Sequence, residues 1–178
     1  MLHAGNLAGC SSDMPPEAIA AWQGPMNEAD VRTWIFSYVI LAPHSHNLQS
    51  WLVDLGQPNE ITLYCDLNRL LPETDPYSRQ TMMSQGTFLE LLDLAARERG
   101  QRAEIELFPK GEVDSKKLDR HPTARIRITA DPTVKKDPLF SQILKRRHAS
   151  KCWAKRPNGH GLHAGPGAHV RRFIRSWA

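Results

Sequence analysis

The sequence predicts an α+β domain, a layered sheet with flanking helices. Three observations carry that reading. Apolar residues recur at helical spacing in two long stretches, four short stretches look like strands, and their order is α–β–β–α–β–β–α. A doubly wound sheet would alternate strand and helix singly, so that class is excluded. At 178 residues, 40% hydrophobic and 24% charged, the chain is long enough for one domain with a core of its own.

Each element has a local reason. Asn27 is expected to cap the first helix, with Asp30 three positions on in a capping-box arrangement. Apolar residues then fall at 31, 34, 35, 38, 39 and 41, and Pro43 stops the helix. "WLVDL" (51–55), a "GQPN" turn and "ITLYC" (61–65) read as a β-hairpin. "PETDP" is a loop. The best helix is 78–99, with Leu89, Leu92, Ala95 and Ala96 on one stripe and Gly100 where a terminating glycine belongs. "AEIELFP" (103–109) and "ARIRITA" (124–130) alternate as half-exposed strands. Asp137 and Pro138 start a last helix running through "LFSQILKRR".

The two ends differ from this middle. "LAGC" at 7–10 has the form of a lipoprotein cleavage box around Cys10, but only six residues precede it, too few for a signal peptide. The expectation is a cytoplasmic protein as written, or an envelope lipoprotein if a leader lies upstream. Residues 158–178 carry four glycines, three histidines and no acid, and are expected to be a disordered basic tail. The organisation expected is thus a leader-like 1–26, a domain over 27–157, and that tail.

Charge is distributed unevenly. Residues 1–109 hold 6 Lys and Arg against 14 Asp and Glu, net −8; residues 110–178 hold 17 against 5, net +12. Such a segment binds nucleic acid or is simply solvated, and sparse aromatics with no recognition motif speak against specific nucleic-acid binding. No run of about 18 apolar residues is present for a membrane span. Cys10, Cys65 and Cys152 have neither zinc spacing nor disulfide density.

"APHSHNLQSW" (42–51) interrupts two apolar runs with two histidines, an asparagine and a glutamine. Together with "LYCDLNRLLPETDPYSRQ" and "SQGTFLELLDLAARERG", it resembles the nitroreductase family of FMN enzymes, closest to its larger two-lobed bacterial members, over about residues 29–156. Pro43, Ser45, His46, Asn47, Gln49 and Trp51 match the family's loop motif. His44 stands where serine is common, and Ser50 replaces a usual proline, which predicts a looser loop. Asp66, Arg69, Leu71, Pro72, Asp75, Pro76 and Arg79 follow the second stretch.

The resemblance implies FMN contacts at Ser45, His46, Asn47 and Gln49, and hydride passing from NAD(P)H through flavin to a nitroaromatic or quinone-like acceptor. Side-chain amides supply both donors and acceptors, so Asn47 and Gln49 suit the ring edge; the Ser45 hydroxyl suits ribityl or phosphate oxygens. Trp51 is expected to pack the loop on the core. No catalytic triad is visible and none is needed. The resemblance further implies a homodimer, because the family's flavin sites form between subunits or lobes. Its pattern dissolves after Pro157, so a truncated, flavin-free remnant or a binding module without turnover is the alternative. Plainer readings also exist: the H-x-H of His44 and His46 lacks further metal ligands, Asp75 and Arg79 make a local ion pair or Arg79 meets phosphate, and Arg146–Arg147 is a solvated helix end.

Overall fold

The computed structural model describes residues 20–25, 27–111, 114 and 117–146. The LAGC box, Arg147 and the 158–178 segment lie outside the described residues. Within them, two α-helices accompany a four-stranded antiparallel sheet, so the mixed α and β class holds.

Helix α1 spans Val31–Val39 and is capped by Asp30, not by Asn27. Asp30 has the extended backbone that a cap requires, and its carboxylate accepts from the Arg32 amide at 2.8 Å. Asn27 sits too far upstream to reach an orphan N–H of the first turn. Arg32 then reaches away from the helix. Its Nη1 donates to the carbonyls of Leu55, Gln57 and Glu60 at 3.1, 2.8 and 3.2 Å.

Those carbonyls belong to the connection between β1 (Trp51–Asp54) and β2 (Glu60–Cys65), which pair antiparallel from Trp51↔Cys65 to Asp54↔Thr62. The hairpin is as the alternation predicts. Helix α2 covers Arg79–Glu98, and Gly100 follows at φ 64°, a left-handed turn that glycine adopts without steric cost. Strands β3 (Gln101–Leu107) and β4 (Pro122–Ala130) complete the sheet in the order β1-β2-β4-β3.

Composition explains which of the last two strands is central. β4 buries Ala124, Ile126 and Ile128 on one face and turns Arg125 and Arg127 outward. β3 places Glu104 and Glu106 opposite those arginines and leaves Leu107 exposed, a charged edge strand. Arg125 lies 3.5 Å from Glu60 and 3.3 Å from Glu106, tying three strands on the solvent side.

The core lies between the other sheet face and the helices. Phe88, Leu92, Ala95 and Ala96 of α2 meet Val53, Ile61, Leu63 and Ile126 in one buried cluster, with Ile35 and Val39 of α1 joining it. Burial of this apolar surface is the main stabilising contribution. Asp137 and Pro138 do start a helical turn, with Asp137 Oδ1 accepting from the Leu139 amide, but only a 3₁₀ turn over Pro138–Gln142 forms. Phe140, Ile143 and Leu144 all dock on the core. Among the described residues no helix is long and apolar enough to cross a membrane.

Candidate functional site

Residues 43–50 connect α1 to β1. Pro43, lacking an N–H, ends the α1 bonding pattern, and its carbonyl accepts from the Thr87 hydroxyl at 2.6 Å. His44 is extended, and Ser45–Asn47 form a single 3₁₀ turn. Three residues of the next four are left-handed: His46 (φ 51°), Asn47 (φ 53°) and Gln49 (φ 51°). Asparagine tolerates that region; for histidine and glutamine it costs about 1–2 kcal/mol each. Strain of this kind persists only where surrounding contacts overdetermine it.

Those contacts come mainly from the first turns of α2. Ser45 N donates to Ser84 Oγ at 3.1 Å, and Ser45 Oγ donates to Gln80 Oε1 at 2.8 Å. Gln85 Nε2 donates to the Ser50 carbonyl at 3.0 Å, and Trp51 Nε1 donates to the Ser84 carbonyl at 3.3 Å. From the Leu67–Arg69 turn, Arg69 Nη1 donates to the Leu48 carbonyl at 2.6 Å. Trp51 is 2% exposed and packs on Phe88, so its core role is as expected.

The four residues predicted to contact flavin share this loop but differ in freedom. His46 and Asn47 are exposed, with no side-chain hydrogen bond among the described residues. Ser45 is half-buried and its hydroxyl is engaged by Gln80. Gln49 is half-buried and donates to the Ile40 carbonyl at 3.2 Å, satisfying the C-terminal end of α1. Gln49 is therefore occupied with positioning α1 through one of its two N–H groups.

The expectation of a looser loop at Ser50 is corrected. Ser50 is fully buried; its N–H donates to His44 Nε2 at 3.1 Å, and its hydroxyl lies 2.7 Å from the same nitrogen. A proline has no N–H to give. The two positions that depart from the family motif are bonded to each other. The Ser50 hydroxyl also meets the thiol of Cys65, which burial pushes up to about 11, against the Ser50 bond and with a small push from Asp66. Cys65 is thus an unreactive, protonated core thiol.

Asp75 and Arg79 do not form an ion pair. Asp75 is buried, and burial alone would raise its pKa. The amides of Thr81, Gln80 and Arg79 and the Thr81 hydroxyl outweigh that and hold it below the usual carboxylate value. Its Oδ2 accepts from Thr81 N at 3.0 Å and from Thr81 Oγ1 at 3.2 Å. Asp75 therefore fills the amino end of α2, a task that the left-handed Ser78 leaves undone. A phosphate at that helix end would meet a carboxylate, and Arg79 instead lies 5.4 Å over the Tyr77 ring. Arg146 likewise is no solvated helix end: it is half-buried, donates to the Leu41 carbonyl and lies over Trp22.

Sequence reasoning missed Gln80, Ser84, Gln85 and Thr87. One signal for them exists. Thr81, Ser84 and Gln85 continue the Phe88–Leu92–Ala95 stripe towards the amino end, so polar residues occupy core-facing positions. Buried polar side chains need partners, and the loop backbone provides them. Two surface clefts lie elsewhere. One of about 470 Å³ opens between α2 and the Pro138–Gln142 turn, lined by Pro43, Leu91, Leu94, Leu139 and Ile143, and a smaller one lies on the outer β3–β4 face. Among the described residues no group of three metal-ligating side chains occurs.

No protein-family model matches this chain, and no curated protein matches it. Among solved structures it is similar to a protein from Desulfovibrio desulfuricans described as a candidate nitroreductase in complex with FMN. That likeness has a TM-score of 0.42 at 16% identity, covering 82% of this chain and 100% of that one.

Proposed function

We propose that this chain is a flavin-binding oxidoreductase subunit of nitroreductase type, in which the 43–50 loop forms one wall of an FMN site. The observation that carries the reading is the loop itself. Three left-handed side chains in four residues are held by bonds from α2 and Arg69, and the two side chains left outward, His46 and Asn47, are ones that suit a planar ring with carbonyl and imine groups along its edge. The donor set fits the ring edge. It does not supply a phosphate cradle, because Asp75 occupies the amino end of α2. The remaining wall comes from a second copy of the chain, so the active form is a homodimer.

The flavin, when bound, supplies the hydride and electron transfer between NAD(P)H and a nitroaromatic or quinone-like acceptor. The chain's own residues bind and orient. Asn47 and His46 would hold the ring edge, Asn47 as both donor and acceptor, while Ser45 and Gln49 hold the turn against α2 and α1 and Trp51 fixes the loop on the core.

The test is the visible spectrum of purified protein, alone and after mixing with FMN and desalting, followed by NAD(P)H oxidation with an acceptor. Retained flavin and turnover are expected. Asn47→Ala removes about 1–1.5 kcal/mol of hydrogen bonding, so flavin retention weakens about tenfold. Unchanged affinity in that variant removes Asn47 from the site. A second reading, flavin or partner binding without turnover, is favoured by the two clefts lying away from His46 and Asn47. Retained flavin with no NAD(P)H oxidation selects flavin binding without turnover; colourless protein removes the flavin enzyme and leaves only partner binding or a flavin-free remnant.

A further inference from the structure

We propose that His44 is the positioning residue of the 44–50 loop, and that protonation of its ring takes away the acceptor of the Ser50 N–H. The two backbone partners of the ring fix its tautomer when it is neutral. Nδ1 lies 2.6 Å from the Ser45 carbonyl, which can only accept, so Nδ1 carries the proton. Nε2 lies 3.1 Å from Ser50 N, which can only donate, so Nε2 keeps its lone pair. One neutral ring thus joins the start of the loop to its end. A second proton would put Nε2–H against the Ser50 N–H, donor facing donor; the Ser50 hydroxyl, 2.7 Å from Nε2, can turn to accept that proton, but the buried Ser50 N–H is left without an acceptor. His44 is 6% exposed and Ser50 0%, so water cannot take over either bond.

The surroundings of the ring favour the neutral form. Burial lowers its pKa below the ordinary 6.5; the Ser45 carbonyl opposes this, while Arg69 and His46 lower it further. On β2, Cys65 keeps its proton, and Asp66 is paired with Arg69 at 3.4 Å. Trp51 meets the ring edge-on at 5.1 Å, and Ser84 and Gln85 of α2 bring no charge. A histidine with a depressed folded-state pKa binds its proton less readily when folded. The latch is therefore complete above about pH 6.5 and is lost as pH falls below that value. The inference stands whether or not the loop binds flavin.

Amide hydrogen exchange of Ser50, expressed as protection relative to an unfolded peptide at each pH, tests it in the intact protein. Between about pH 7.5 and pH 5, protection at Ser50 is expected to fall at least tenfold, while Leu63 and Ile126 in the sheet keep theirs. The midpoint should coincide with the titration of the His44 ring followed by NMR. His44→Gln, which carries no titrating ring, should abolish the pH dependence. Constant protection at Ser50, a midpoint different from that of His44, or parallel loss at Leu63 and Ile126 overturns the proposal. So does an unaltered pH dependence in His44→Gln. If that variant does not fold, the wild-type comparison of midpoints decides alone.

Discussion

At the scale of single residues, Asp75 shows how one carboxylate can serve a whole helix. It lies three residues before the Ser78 cap position, which is left-handed and makes no side-chain cap bond. With Oδ2 on the Thr81 amide and hydroxyl, Asp75 takes over that duty from inside the fold. Asp75→Ala leaves those donors buried without an acceptor and is expected to cost about 2 kcal/mol in urea unfolding. The pH dependence has a definite sign. Because the folded carboxylate sits below its ordinary 3.8, its contribution is complete above that value and is lost as pH falls through it. Wild type should lose stability in that acid range faster than Asp75→Ala does.

At the scale of elements, the hairpin and α1 are joined by one arginine. Arg32 is held at its base by Asp30, with Nη2 2.9 Å from Oδ2, and its other nitrogen satisfies three carbonyls around the β1–β2 connection. A guanidinium does this because it is a rigid planar fork with several donors. Arg32→Lys offers a point charge in its place and should fold about 1–2 kcal/mol less stably, with faster amide exchange confined to residues 55–60. Uniformly faster exchange through the sheet would show that the contact is not local to the hairpin. The same logic fits α2: the buried face of its carboxyl half is apolar and packs on the sheet, and the buried face of its amino half is polar and holds the loop.

At the scale of the whole molecule, the described chain covers one face of its sheet with helices and leaves the other lined by Arg125, Arg127, Glu104 and Glu106. The strained loop lies at the junction of α1, α2 and β1, with His46 and Asn47 turned outward. If the loop is one wall of the proposed flavin site, a second wall is required. Sedimentation of the purified 20.1 kDa chain is therefore expected to give a dimer of about 40 kDa, with flavin addition favouring it by mass action. A monomer that binds one flavin per chain at full affinity would show that the described loop needs no partner.

The sequence by itself determined the type and order of the elements from α1 to β4 and several of their ends; the last predicted helix formed only a 3₁₀ turn. The hairpin, the α2 stripe of Leu89, Leu92, Ala95 and Ala96, the Gly100 turn and the Asp137–Pro138 start were legible because propensity, periodicity and turn chemistry act over a few residues. The resemblance to a known family located the loop. Only the tertiary structure decided the rest. β4 takes the sheet centre because, besides its neighbour β3, it pairs with β2 about 60 residues away, as in the Thr123 hydroxyl bonded to the Leu63 carbonyl. Asp75 became a cap and not an ion pair, Gln49 a brace for α1, and Ser50 the partner of His44. Each of these polar side chains had several possible partners in the chain. Burial forced each to find one within hydrogen-bonding reach, and that distance is set by packing, not by spacing in the sequence.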